Sequence, residues 1–332
     1  MLHQILLWAA VAFSATDTAP FVARSNSQLM VKSHINVGPS FDVVSSLIIG
    51  SKSAVIIDLP LAIPQARALA DWVKNTTDKP LVAAFSTHFH PDHYLSGAAF
   101  LEQFPDVPYY ANSKTIGHMK TGLPRTLEIW SGVNGRENIV QKPTLPEPYN
   151  YSIFTLPGDE ASPVHLISLM TGDTVDETLF WIPSISTLIA GDAVYGDSIH
   201  VWLADLLTPA LTAAWLSTLD FIENLAPKVI IPGHAINTRG FCATRDLEYS
   251  KKYLQLFQSE IEAKGIDFYT PAEIFNTFDD AFPGLLQSNM STSSTILNLT
   301  ANEFGSGGSR FPQYVDLKSY TNISELEGWK LG

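Results

Sequence analysis

Three scarcities frame this chain of 332 residues. It holds one cysteine, Cys242, so no intrachain disulfide can form, and its stability must come from an apolar core, for which a 45% share of hydrophobic residues provides the material. Cys242 reads as a buried thiol rather than a nucleophile. Positive charge is also scarce, with 20 Lys and Arg against 33 Asp and Glu, a net charge of −13. A protein of that sign repels phosphate backbones, which argues against nucleic acid as a partner. Finally, no apolar run reaches the roughly 18–20 residues that a spanning helix needs, so the mature chain is expected to lack a membrane span.

A shorter apolar block does open the chain. Ile5 to Phe13 is followed by small and polar residues, and the pattern reads as a signal peptide over residues 1–19, although the segment before it contains His3 and no Lys or Arg. A buried first strand or helix is the other reading. Asn-x-Ser/Thr sequons at Asn75, Asn150, Asn289, Asn298 and Asn322 exceed the roughly two that composition would give, and they fit a glycosylated, secreted protein.

Beyond the leader, short β-branched and apolar runs at 29–35, 41–49 and 54–58, separated by Gly, Pro and Ser, read as a strand meander. Helical spacing of Ala, Leu and Trp over 63–73 and a compact apolar strand at 81–85 then predict a βαβ step ending at His88. A second helix is expected from Tyr94, a strand at 108–111, and a long ordered loop over 121–150, where Pro and Gly interrupt the periodicity. Strands return at 164–170, 178–182, 187–190 and 229–231. Helices are predicted from Thr208 as N-cap with Pro209 in the first turn, over 244–264, and from the capping box Thr270-Pro-Ala-Glu273. Two halves that each run from strands to helices suggest a four-layer αββα sandwich. The division is a leader over 1–19, a main domain over 20–265, and a C-terminal extension over 266–332 packing on the same domain.

The chemistry concentrates in His88-Phe-His90-Pro-Asp92-His93. Three imidazoles and a carboxylate within six residues exceed what a core or a solvated surface requires. Zinc accepts imidazole nitrogen and carboxylate oxygen, and a tight loop after a strand can aim side chains at two ions. His88 and His90 would share one, while Asp92 and His93 turn toward the other.

At this run the chain resembles the metallo-β-lactamase superfamily, whose first metal motif, His-x-His-x-Asp-His, is matched at every position. The resemblance continues in order through Val55-Ile-Ile-Asp58, through Gly191-Asp192 after an apolar strand, and through Pro232-Gly233-His234, covering roughly residues 29–240. It implies that Asp192 bridges two ions and that His234 completes the second ion's set with Asp92 and His93. It departs from the family at Gly172-Asp173-Thr174, where members usually carry histidine for the first ion. Asp173 is expected to replace it. A carboxylate adds negative charge and shifts preference toward harder ions such as manganese or iron. His165 is the weaker candidate for that role.

The resemblance implies a metal-dependent hydrolase of the α/β class with two Zn²⁺ ions per chain, in which a metal-bridged hydroxide attacks an ester, lactone, thioester or amide carbonyl of a small molecule. Asp92 and Asp192 would orient it. Tyr195 and His200 are the candidates to donate to the developing oxyanion. Phe89, Tyr94, Trp130, Trp181, Tyr195 and Trp202 are core residues or pocket walls. Two alternatives stand beside this reading: a non-catalytic small-molecule or metal-binding protein of the same fold, and an iron-dependent persulfide dioxygenase.

Overall fold

A computed structural model describes residues 29–238, 241–288, 290–313 and 315–320. The expected signal peptide and the sequons at Asn289 and Asn322 lie outside these residues. Asn75, Asn150 and Asn298 are exposed.

Two sheets face one another. In the first, β1 (Met30–Asn36), β2 (Val43–Ile49) and β3 (Ala54–Ile57) run antiparallel, and β4 (Leu81–Phe85), β5 (Tyr109–Ala111) and β6 (Glu147–Pro148) add in parallel. The change of sense falls at the crossover through α1 (Ile63–Thr76), because parallel neighbours need a connection long enough to reverse twice. In the second sheet, β7 (Ile153–Phe154), β8 (Val164–Met170), β9 (Glu177–Ile182) and β10 (Thr187–Gly191) form an antiparallel series, and β11 (Val229–Pro232) pairs in parallel with β10. Its crossover is α4 (Pro209–Leu225).

Strand periodicity of two divides the apolar residues between two clusters. Val44, Ile48, Val55, Ile57 and Phe85 from the first sheet join Leu166, Phe180, Ile182, Ile189 and Ile231 from the second in one. Alternate residues such as Leu47, Ile56, Ala84, Leu188 and Ile230 join the apolar faces of the helices in the other. That partition is the four-layer αββα sandwich. Its helical layers include α2 (Gly97–Leu101), α3 (Ser113–Asn134) and α5 (Ala243–Phe257), the last continued by a π-helical turn, Gln258–Glu262.

The chain beyond residue 265 supplies α6 (Pro271–Ala281), α7 (Leu285–Ser288) and α8 (Met290–Phe304). It packs on the same body. The Phe304 ring meets Phe257 at 4.9 Å, Thr300 Oγ1 accepts from Leu203 N at 3.3 Å, and Ser293 Oγ accepts from His200 N at 3.3 Å.

Four local expectations need correction. The expected loop over 121–150 is helical as far as Asn134: Ile116, Met119, Leu123, Leu127 and Trp130 recur at helical spacing, and the gap left by Pro124 opens at Lys120, which is exposed, so water can serve its carbonyl. The second helix starts at Gly97 rather than Tyr94, because 91–93 form a single 3-10 turn that shapes the histidine run. Thr208 precedes α4, but its side chain makes no capping bond. Cys242 is exposed rather than buried. The Thr270 box is present with both reciprocal bonds.

Candidate metal centre

The sandwich gathers polar side chains at strand ends, where backbone turns can be tight. β3 leads into Asp58, β4 into Thr87 and His88, β10 into Asp192, and β11 into Gly233 and His234, while Asp173 lies in the turn between β8 and β9. Asp58 holds a left-handed backbone at φ +64°, a strained setting for a non-glycine residue, and its carboxylate accepts from Thr87 N at 2.8 Å. Gly233 admits the close approach of β10, since a Cβ there would overlap Asp192 Oδ1 and the backbone at Gly191.

Each histidine of the cluster has one ring nitrogen committed outward. His88 Nδ1 shares a hydrogen bond with Thr87 Oγ1 at 2.9 Å, and His93 Nδ1 lies 2.9 Å from Asp58 Oδ2. His90 Nε2 donates to Asp205 Oδ2 at 3.0 Å, and His234 Nδ1 donates to the Phe41 carbonyl at 2.7 Å. The other nitrogens face carboxylates. His90 Nδ1 is 3.3 Å from Asp173 Oδ2, His93 Nε2 is 3.2 Å from Asp192 Oδ1, and His234 Nε2 is 3.1 Å from Asp192 Oδ2 and 3.3 Å from Asp92 Oδ2. His88 Nε2 stands 3.9 Å from both Asp173 Oδ1 and Asp192 Oδ2.

Ligand atoms therefore gather in two groups, His88, His90, Asp173 and Asp192 in one and Asp92, His93 and His234 in the other, each within 4.8 Å. Asp192 touches members of both. Among the buried atoms that make no hydrogen bond are His88 Nε2, His93 Nε2, Asp173 Oδ1 and Asp192 Oδ1. A buried polar atom without a partner is costly, so four converging ones fit a cation that all could share. Fixing one imidazole nitrogen so that the other keeps its lone pair inward is also what metal-binding histidines need.

The electrostatics agree with that fit. Burial opposes charge on His93 and His234, but Asp192 outweighs it, helped by Asp58 for the first and Asp92 for the second. His93 is pushed well above its ordinary value and His234 to about 10. Burial raises Asp173 to about 7, assisted by Asp192 and opposed by His90. The cluster is thus an excess of buried carboxylates that draws positive charge.

Tyr195 is buried at this cluster, its hydroxyl 2.8 Å from Asp173 Oδ2 and 2.9 Å from Asp192 Oδ2. Burial and those two carboxylates push its phenol well above 10. His200 is not its companion. It is fully buried away from the cleft, with Nδ1 hydrogen-bonded to Tyr253 Oη at 2.9 Å. His165 sits in β8 opposite Ile153 and Trp181 and joins neither ligand group. The cleft over the centre is lined by Phe89, Trp130, Tyr195 and Trp202, whereas Tyr94 and Trp181 are not part of its wall.

Sequence reasoning missed Asp205, the carboxylate on His90, which also takes bonds from Trp202 Nε1 and Gln313 Nε2, both at 3.3 Å. It missed Glu177, buried against the Gly172 turn with Oε1 accepting from Thr174 N at 3.3 Å. It missed the Phe41 carbonyl as well. A histidine ligand calls for an outward partner, but that partner can come from any part of the chain, so no spacing announces it.

With fold and centre in place, residues 39–234 match the model of the metallo-β-lactamase superfamily, more than half of the chain, and the protein belongs to that superfamily of metallo-hydrolases. It is similar to the metallo-β-lactamase type 2 of Bacteroides fragilis, with 23% identity over 64% of this chain and 74% of that relative. It is also similar to metallo-β-lactamase IND-1 of Chryseobacterium indologenes, with 25% identity over 59% of this chain and 73% of the relative. Among solved structures, the stereoselective inverting sec-alkylsulfatase Pisa1 from Pseudomonas sp. shares the fold at a TM-score of 0.50, with 18% identity over 83% of this chain and 50% of that one.

Proposed function

We propose that the protein hydrolyses an ester, lactone, thioester or amide bond of a small molecule with the help of two divalent cations, in the first instance zinc. The observation that carries this reading is Asp192, set between two groups of inward-facing ligand atoms, with Oδ1 making no hydrogen bond although it lies 3.2 Å from His93 Nε2. His88, His90, Asp173 and Asp192 would hold the first ion, and Asp92, His93, Asp192 and His234 the second. Such ions, when bound, bring the pKa of water toward neutrality and polarise the oxygen of the bond to be cleaved.

The chain's own residues do the rest. Asp92 and Asp192 present carboxylate oxygens at the cleft that can accept from an attacking water and orient it. Tyr195 carries a hydroxyl in the cleft wall and would serve a developing oxyanion by turning its one proton away from Asp173 and Asp192, which it bonds at 2.8 and 2.9 Å. Asp58, Asp205 and the Phe41 carbonyl fix the rings of His93, His90 and His234, which keeps the ligand set preorganised. Asp173 in place of histidine makes the first position more acidic, a setting that manganese or iron also suits. Secretion is part of the proposal, supported by the apolar leader and by sequons exposed at Asn75, Asn150 and Asn298.

Turnover of a panel of esters, lactones, thioesters and β-lactams by the zinc-supplied protein tests the reading. His88→Ala together with His90→Ala should abolish the hydrolysis seen while leaving the folded circular-dichroism spectrum intact. Unchanged turnover in that double variant would overturn it.

A further inference from the structure

The family match ends at residue 234, but the cleft does not. Ile296, Leu299, Phe311 and Val315, all from the C-terminal extension, line the same cleft as His90, Asp173 and His234. The Phe311 ring meets Trp202 edge-on at 5.1 Å, and elsewhere in the lining Phe41 meets Trp130 edge-on at 5.3 Å. The centre is therefore bordered by two aromatic pairs and by aliphatic side chains.

With His90 and His234 neutral, as ligands of the two ions must be, the charged side chains of the lining have one sign. Asp92, Asp173, Asp192 and Asp205 all contribute to it, and no Lys or Arg does among the described residues. Two divalent ions would bring four positive charges against those four carboxylates, leaving the loaded cleft near neutrality. An anionic substituent would find no cation of the chain to pair with, whereas a hydrocarbon would find surface to bury. The extension is tied down beside the centre. Gln313 Nε2 donates to Ala204 O at 3.2 Å and to Asp205 Oδ1 at 3.3 Å, and Tyr320 Oη donates to Asp176 Oδ2 at 2.6 Å.

We infer that the C-terminal extension completes an apolar subsite for the uncharged hydrocarbon part of the substrate, which makes the preferred substrate a neutral alkyl or aryl ester, lactone or thioester. The inference rests on the hydrolase reading for the bond cleaved, but the subsite can be measured without turnover. Burial of one methylene is worth about a fourfold change in affinity.

The test titrates the full-length protein, with and without added zinc, with two ketones that cannot be hydrolysed: 2-nonanone and its carboxylate-ended counterpart 8-oxononanoate. Quenching of tryptophan fluorescence gives Kd. The neutral ketone should bind at least about tenfold tighter, and 2-heptanone should be weaker than 2-nonanone by about fourfold per methylene lost. Phe311→Ala and Leu299→Ala, made separately, should each weaken 2-nonanone by about tenfold, with Phe311→Leu keeping most of the affinity. A ketone that binds no tighter than the keto acid, including the case where neither binds, overturns the inference, as does an unchanged Kd in folded Phe311→Ala and Leu299→Ala. A protein that prefers the neutral ketone yet cleaves no ester keeps the subsite and loses the hydrolase reading; one that cleaves carboxylate-bearing substrates best does the reverse.

Discussion

Asp92, Asp173, Asp192 and Asp205 converge on one small volume, and carboxylates gathered there need cations or protons to be tolerated. In the proposed two-ion centre, Asp173 would set which cations suit. Replacing it by histidine removes one negative charge and gives the first position a third imidazole, a softer set that favours zinc. Asp173→His should shift the ratio of zinc to manganese retained in a competition dialysis toward zinc by on the order of tenfold, about 1.4 kcal/mol. An unchanged ratio would mean that Asp173 does not touch the ion. His200 makes a separate prediction about pH. Burial pushes it down to about 4, and its Nε2 has no hydrogen-bond partner to welcome a proton. The unfolded chain takes up that proton near pH 6.5 and the folded chain only near 4, so stability is lost as pH falls through this window. The loss amounts to about 3 kcal/mol. Chemical denaturation at pH 7 and pH 4.5 should show a smaller drop for His200→Gln than for the parent, and equal drops would remove His200 from the account.

Among the elements, the strands that carry ligands were legible because burial on both faces makes them compact apolar runs, and each ends in a turn with a recognisable ligand. The run from His88 to His93 stood out by its density of ligand-type residues, and Asp192 and His234 were singled out only through the family resemblance. α3 could not, because Pro124 and the glycines of 113–134 mask an apolar stripe that is nevertheless at helical spacing. The outward partners of the histidines were invisible for a different reason: Asp205 and Phe41 reach His90 and His234 through the fold rather than along the chain. Cap chemistry is local: Thr270 has Glu273 three residues on and forms a reciprocal box, whereas Thr208 has Leu211 at that position and its side chain makes no cap. Thr270 Oγ1 accepts from Glu273 N at 3.3 Å, and Glu273 Oε2 accepts from Thr270 N at 2.8 Å. Thr270→Ala should lower unfolding stability by about 1 kcal/mol without altering metal content. A change in metal content would show that α6 is coupled to the centre.

For the whole molecule, the sandwich brings five strand ends and turns to one edge, and the C-terminal extension closes over that edge. Neither half of this arrangement is sufficient by itself. The strand ends supply ligands but little apolar wall, and the extension supplies Ile296, Leu299, Phe311 and Val315 but none of the clustered ligand atoms. The negative charge of the chain, −13 overall, concentrates in part where cations are called for. In the proposed centre, His88, His90, Asp92, His93, Asp173, Asp192 and His234 hold two ions. The most direct test is elemental analysis of the folded protein after it has been supplied with zinc, manganese and iron and then desalted. Two divalent ions per chain are expected, falling below one when Asp192→Ala removes the residue shared by both groups. A folded protein that retains none would contradict the two-ion centre and leave a binding protein that has kept the fold without the chemistry.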